Sequence, residues 1–149
     1  MGTHGPRRMA REAALQVLFA ADLASGQLDS HVVRDSFDSV CEEFDLPKRA
    51  RERALELCLG VVHHLKDIDL AIAAASEHWK IERLAAVERN VLRIAGFELL
   101  FEPETPAEVV IDEAVEVARR FASEKSPAFV NGVLDVVARQ ARGPRGGAA

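Results

Sequence analysis

The chain has 149 residues, 48% of them hydrophobic, with a formal net charge of −5 and two cysteines. That supports one folded unit or two small halves, and no apolar run approaches the roughly 20 residues a membrane helix needs. Cys41 and Cys58 lack C-x-x-C spacing and the N-terminus lacks the apolar core of a secretory leader, so a reduced, cytoplasmic protein is expected.

Taken in order, the apolar spacing predicts helices throughout, with almost no strand alternation. A first helix from Arg7 to Ser25 places Ala10, Ala14, Val17, Leu18 and Ala21 on one face and stops at Gly26. A second follows Ser30 with Val33, Phe37, Val40 and Phe44, broken by Asp45-Leu46-Pro47. A third carries Ala54, Cys58, Val61 and Leu65, a fourth Ile68, Ile72, Ala75 and Trp79. A fifth uses Leu84, Val87, Val91, Ile94 and Ala95 and ends before Glu102-Pro103. Thr105-Pro106-Ala107-Glu108 has the form of a capping box with proline at the first helical position, opening a sixth helix through Val110, Ala114, Val117 and Phe121. Ser126-Pro127 repeats the serine cap and opens a seventh, and the tail from Gly143 to Ala149 is expected to be flexible, leaving residues 1–142 as the folded domain.

Inside the seventh segment, Asn131-Gly132 is the dipeptide of a tight hairpin turn. Phe129, Val130, Val133, Leu134 and Val137 nevertheless keep the helical period through it. A mid-helix glycine costs about 0.5–1 kcal/mol against alanine. The expectation is that a neighbouring helix approaches Gly132 too closely for a side chain, with Asn131 hydrogen-bonding at the same crowded place, so that Gly132→Val overpacks.

Charge is unevenly distributed. Arg7, Arg8 and Arg11 against Glu12 give residues 1–21 a net +2, Arg139, Arg142 and Arg145 give residues 136–149 a net +3, and the body between carries −10. If the chain binds nucleic acid, it is expected to do so locally. Arg8, Glu12, Leu15 and Phe19 share one stripe of the first helix, and cations beside a ring suit single-stranded RNA, neutralising phosphates and stacking on splayed bases. Leu15 and Phe19 would serve equally well as core. Seven carboxylates between Glu98 and Glu116 read as a solvated face, or as a strip that docks a basic partner. The sequence has no Gly-rich nucleotide loop, no nucleophile elbow and no histidine spacing for zinc, so no enzyme, metal or cofactor is expected.

Four segments, "RRMAREAALQVLFAADL", "WKIERLAAVERNVLRIAGFELL", "AEVVIDEAVEVARRFASEKS" and "FVNGVLD", together resemble the bacterial NusB transcription antitermination family over nearly the whole chain. Trp79, Arg83, Arg89 and Arg93 also stand at matching positions. The resemblance implies an all-α fold of about seven helices in two small packed bundles, without catalysis. It implies binding of boxA-type RNA in nascent ribosomal RNA leaders together with the ribosomal protein NusE, within an RNA polymerase antitermination complex. It assigns Arg7, Arg8, Arg11, Phe19 and Phe129 to the RNA face, Glu88 to the NusE-facing surface, and Trp79, Asn131 and Gly132 to the structural signature. Met9 interrupts an arginine run that members often continue, Phe19 lacks a frequent tyrosine's hydroxyl, and Ala128 stands where a lysine commonly precedes the signature phenylalanine. Unaided RNA binding should therefore be weak and NusE-assisted. The alternatives are a homodimeric or protein-binding helical adaptor without RNA recognition, and the NusB-like domain of an RNA methyltransferase, for which the chain stops short of a nucleotide-binding unit.

Overall fold

The computed structural model describes residues 5–25, 27–43, 45–77 and 80–143. Among these, every regular element is helical: α1 (Pro6–Ser25), α2 (Ser30–Glu43), α3 (Lys48–His63), α4 (Leu65–Ala75), a 3₁₀ turn (Ile81–Arg83), α5 (Ala86–Phe101), α6 (Ala107–Phe121) and α7 (Ser126–Arg142). The chain divides into two compact units, Met1–His63 and His64–Ala149.

In the first unit α1 packs on α2 and α3, and α2 on α3. The anticipated α1 face, Ala10, Ala14, Val17, Leu18 and Ala21, is fully buried, against Val33 and Phe37 of α2 and Ala54, Leu57, Cys58 and Val61 of α3. Small residues let α1 and α3 come close: the Cys58 thiol donates to the Ala14 carbonyl at 3.8 Å. Asp29 Oδ1 accepts the Val32 N–H at 2.9 Å and so caps α2. Gly26 and Phe44, expected as a helix stop and a core residue, lie outside the described residues.

The second unit is arranged around α5, which packs on α4, α6 and α7 and is buried continuously from Asn90 to Leu99. A helix covered on all sides must satisfy its own polar side chains. Arg93 does so with a two-pronged ion pair to Asp69 of α4, Nε to Oδ1 and Nη2 to Oδ2 both at 2.9 Å, and Nη1 donates to Asn90 Oδ1 at 3.2 Å. Asn90 Nδ2 in turn donates to the Ala86 carbonyl at 2.9 Å. Arg89 Nη1 donates to the Leu84 carbonyl at 2.8 Å and holds the segment after the 3₁₀ turn.

Several local expectations are corrected. Leu65 begins α4 instead of ending α3, because the break falls at His64. Pro106 is the N-cap of α6 and not its first helical residue; its carbonyl accepts the Val110 N–H at 3.1 Å, and no side chain caps the helix. Ser126 is likewise inside α7, with Lys125 at the N-cap, because its hydroxyl is directed at another helix. Gly132 and Asn131 are exposed, and a Cβ built on Gly132 meets nothing within 4 Å, so neither the crowding nor the overpacking expected there exists. The close approach is at Gly96 of α5, where a Cβ would lie 3.1 Å from Ile68 Cγ2 of α4. Trp79 lies outside the described residues.

Candidate nucleic-acid interface

The Gly5 carbonyl accepts the Met9 N–H at 3.0 Å, so Arg7 and Arg8 stand in the first turn of α1, a turn with no acidic residue. The unsatisfied N–H groups of that turn already make it the positive end of the helix. Two guanidinium groups there are unfavourable by themselves, and an approaching phosphate reverses the sign. Arg7 is exposed and Arg8 half-buried. Arg11 is 7% exposed, and both it and Arg8 have partners within the chain, so Arg7 is the fully exposed arginine of the run. Farther along the stripe Leu15 is core, at 2% exposed, whereas Phe19 is half-buried and keeps part of its ring at the surface.

A second basic turn escaped the sequence reading because the body of the chain sums to a negative charge. Lys48, Arg49 and Arg51 are exposed in the first turn of α3, which again contains no acid. Exposed Glu42, Glu43 and Asp45 directly precede them, and Lys48 reaches Glu52 at 3.9 Å. Acids offset this turn on both sides, whereas in α1 Glu12 follows Arg8 by four residues and no acid precedes the helix among the described residues.

In the second unit Phe129 is half-buried, one turn into α7, with Val130 beneath it fully buried. Pro127 and Ala128 of the same turn line an open cleft of about 510 Å³ with Arg119, Ser123 and Glu124. Glu88, in the first turn of α5, is half-buried and accepts the Ser126 hydroxyl at 2.5 Å. Its carboxylate is thus partly committed inside the molecule, a role that sequence spacing does not reveal.

The basic C-terminal end is also corrected. Arg139 pairs with Asp135, and Arg142 donates to the carbonyls of Glu98, Leu99 and Glu102 at 2.9–3.0 Å and of Thr105 at 2.5 Å. Both guanidinium groups serve α7 and the end of α5, and Arg145 lies outside the described residues. The acidic strip is not uniform. Glu98 is 1% exposed, whereas Glu104, Glu108, Asp112 and Glu116 are exposed at four-residue spacing, with Glu116 paired to Arg119. Among the described residues no group of three or more acidic, histidine or cysteine side chains is placed to hold a metal, and no helix is long and apolar enough to cross a membrane.

The family model described as the NusB family matches residues 8–139. The chain belongs to the NusB family. It is 45% identical over 132 residues to the transcription antitermination protein NusB of Desulfotalea psychrophila, covering 88% of this chain and 94% of that protein. Its fold matches T. maritima NusB with a TM-score of 0.77 at 38% identity, over 93% of this chain and 94% of that one. It also matches a chain in the crystal structure of antitermination factors NusB and NusE in complex with dsRNA, with a TM-score of 0.74 at 32% identity, over 91% and 97% of the two chains. Among the described residues the seven α-helices, in two units, agree with the fold that the NusB resemblance implied.

Proposed function

We propose that this NusB-family protein is a non-catalytic antitermination factor of the cytoplasm that binds boxA-type RNA of nascent ribosomal RNA leaders cooperatively with NusE. The observation that carries this reading is the first turn of α1, where Arg7 and Arg8 add charge to a helix end that is already positive and contains no acid. A polyanionic backbone neutralises both terms at once. Phe19 and Phe129, each with part of its ring at the surface, supply stacking faces, and Pro127 and Ala128, of the turn that leads to Phe129, line an open cleft. The occurrence of NusE and RNA together with a related NusB supports the choice of partners.

With Arg11 buried, two phosphate contacts from α1 give a slope of log affinity against log salt of about −1.4 for single-stranded RNA, so binding without NusE is weak. The exposed row Glu104, Glu108, Asp112 and Glu116 suits a basic ribosomal protein, and Glu88 contributes to the same partner's surface. Titration of labelled boxA-type RNA, single-stranded and duplex, with and without NusE tests the reading. Tighter binding of the single strand in the presence of NusE, lost on charge reversal of Arg7 and Arg8, is expected. Undiminished ternary affinity in the charge-reversed variant would leave a helical adaptor.

A further inference from the structure

The first turn of α7 is secured in an unusual way. No side chain caps the helix; the Ser126 N–H donates to the Ser123 carbonyl at 3.0 Å, Pro127 has none, and the Phe129 N–H reaches the Lys125 carbonyl only at 3.4 Å. What fixes the turn is a tertiary contact: Ser126 is 2% exposed and its Oγ lies 2.5 Å from Glu88 Oε2 and 2.9 Å from Ser123 Oγ. A serine hydroxyl has one proton, and the carboxylate accepts only. The chain therefore has a direction: Ser123 donates to Ser126, and Ser126 donates to Glu88. A hydroxyl-to-carboxylate bond of this length belongs to the strong, charge-assisted class. Phe129 follows Ser126 by three residues, one helical turn, so the anchor and the ring stand one above the other.

We propose that Ser126 is a positioning residue for RNA, holding Phe129 at the angle at which a base stacks on it, with Glu88 as its acceptor. The inference rests on the RNA reading of Phe129. It gives Glu88 a second task, since the carboxylate that fixes the α7 turn also lies on the surface assigned to NusE. Occupancy of that surface then bears directly on the turn that presents the ring, a physical route for cooperativity between protein and RNA within one unit.

The test uses the full chain with saturating NusE and labelled boxA-type RNA, with thermal melts of each variant confirming a folded protein. Ser126→Ala is expected to weaken RNA binding about tenfold, the scale of one lost hydrogen bond to a charged group. In a Phe129→Ala background the same change should cost less than twofold, because its effect passes through the ring. At saturating NusE, Glu88→Gln, which retains an acceptor, should lose less RNA affinity than Glu88→Ala, and the loss in Glu88→Ala should not add to that of Ser126→Ala. Wild-type RNA affinity in folded Ser126→Ala, or an undiminished loss in the Phe129→Ala background, overturns the inference while leaving the RNA reading intact. Wild-type affinity in Phe129→Ala itself overturns that reading and the inference with it.

Discussion

Gly132 and Gly96 occupy helices of the same unit and should respond oppositely to a methyl group. At Gly132 an added Cβ meets nothing, so Gly132→Ala removes the entropic cost of an exposed helical glycine and should raise stability by about 0.5–1 kcal/mol. At Gly96 the methyl would press on Ile68, itself fully buried, so Gly96→Val should lower stability by about 1–3 kcal/mol. Thermal melts of the two variants check both signs. Cys58 makes a further prediction at this scale. Burial, with the charge of Cys41 as a lesser cause, pushes its thiol well above the ordinary value of 9.0. Above that pH the unfolded chain releases the proton while the native chain keeps it, so stability should fall as pH rises past 9.0, by up to about 1.4 kcal/mol per pH unit. Cys58→Ala should flatten that decline. In native protein Cys41, half-buried, should react with a thiol reagent before Cys58.

Helix ends decide most of what differs between pattern and structure. Apolar periodicity located α1 to α7 and nearly all their buried faces, because a 3.6-residue repeat reports burial directly. The end chemistry was not legible in the same way. Thr105 and Ser126 have the composition of local caps, yet the Thr105 carbonyl accepts from Arg142 and the Ser126 hydroxyl from its own helix turns to Glu88. Arg142 gathers carbonyls from the end of α5 and the turn after it, 37 to 44 residues away in sequence; those of Glu98 and Glu102 also accept backbone N–H groups, and Pro103, four residues after Leu99, has no N–H to give. Its replacement by alanine removes the guanidinium donor from all four carbonyls, Glu98 and Glu102 keeping their backbone donors, and should destabilise the fold by about 1.5–3 kcal/mol, measured by urea denaturation, with Arg142→Lys recovering only part because an ammonium cannot span the same fork. Arg11 follows the same logic: a lone charge in a sequence reads as solvated, and only packing shows it inside.

Across the whole molecule the charge map is narrower than the sequence implied. Arg142 closes the end of α5, Arg139 pairs with Asp135 along α7, one α1 arginine is buried, and the basic first turn of α3 has acids close by in sequence. The proposed RNA contacts are Arg7 and Arg8 at the start of α1, Phe19 about three turns farther along the same helix, and Phe129 of α7. Charge and ring contribute different signatures, since phosphate contacts appear in the salt dependence and stacking does not. The most direct measurement is the affinity of boxA-type RNA for the protein with saturating NusE, taken from low to high salt for wild type, Arg7→Gln/Arg8→Gln and Phe129→Ala. The arginine variant should lose affinity and flatten the log–log slope by about 1.4, while Phe129→Ala should lose affinity at an unchanged slope. An unchanged affinity and slope in the arginine variant would contradict the proposed RNA surface.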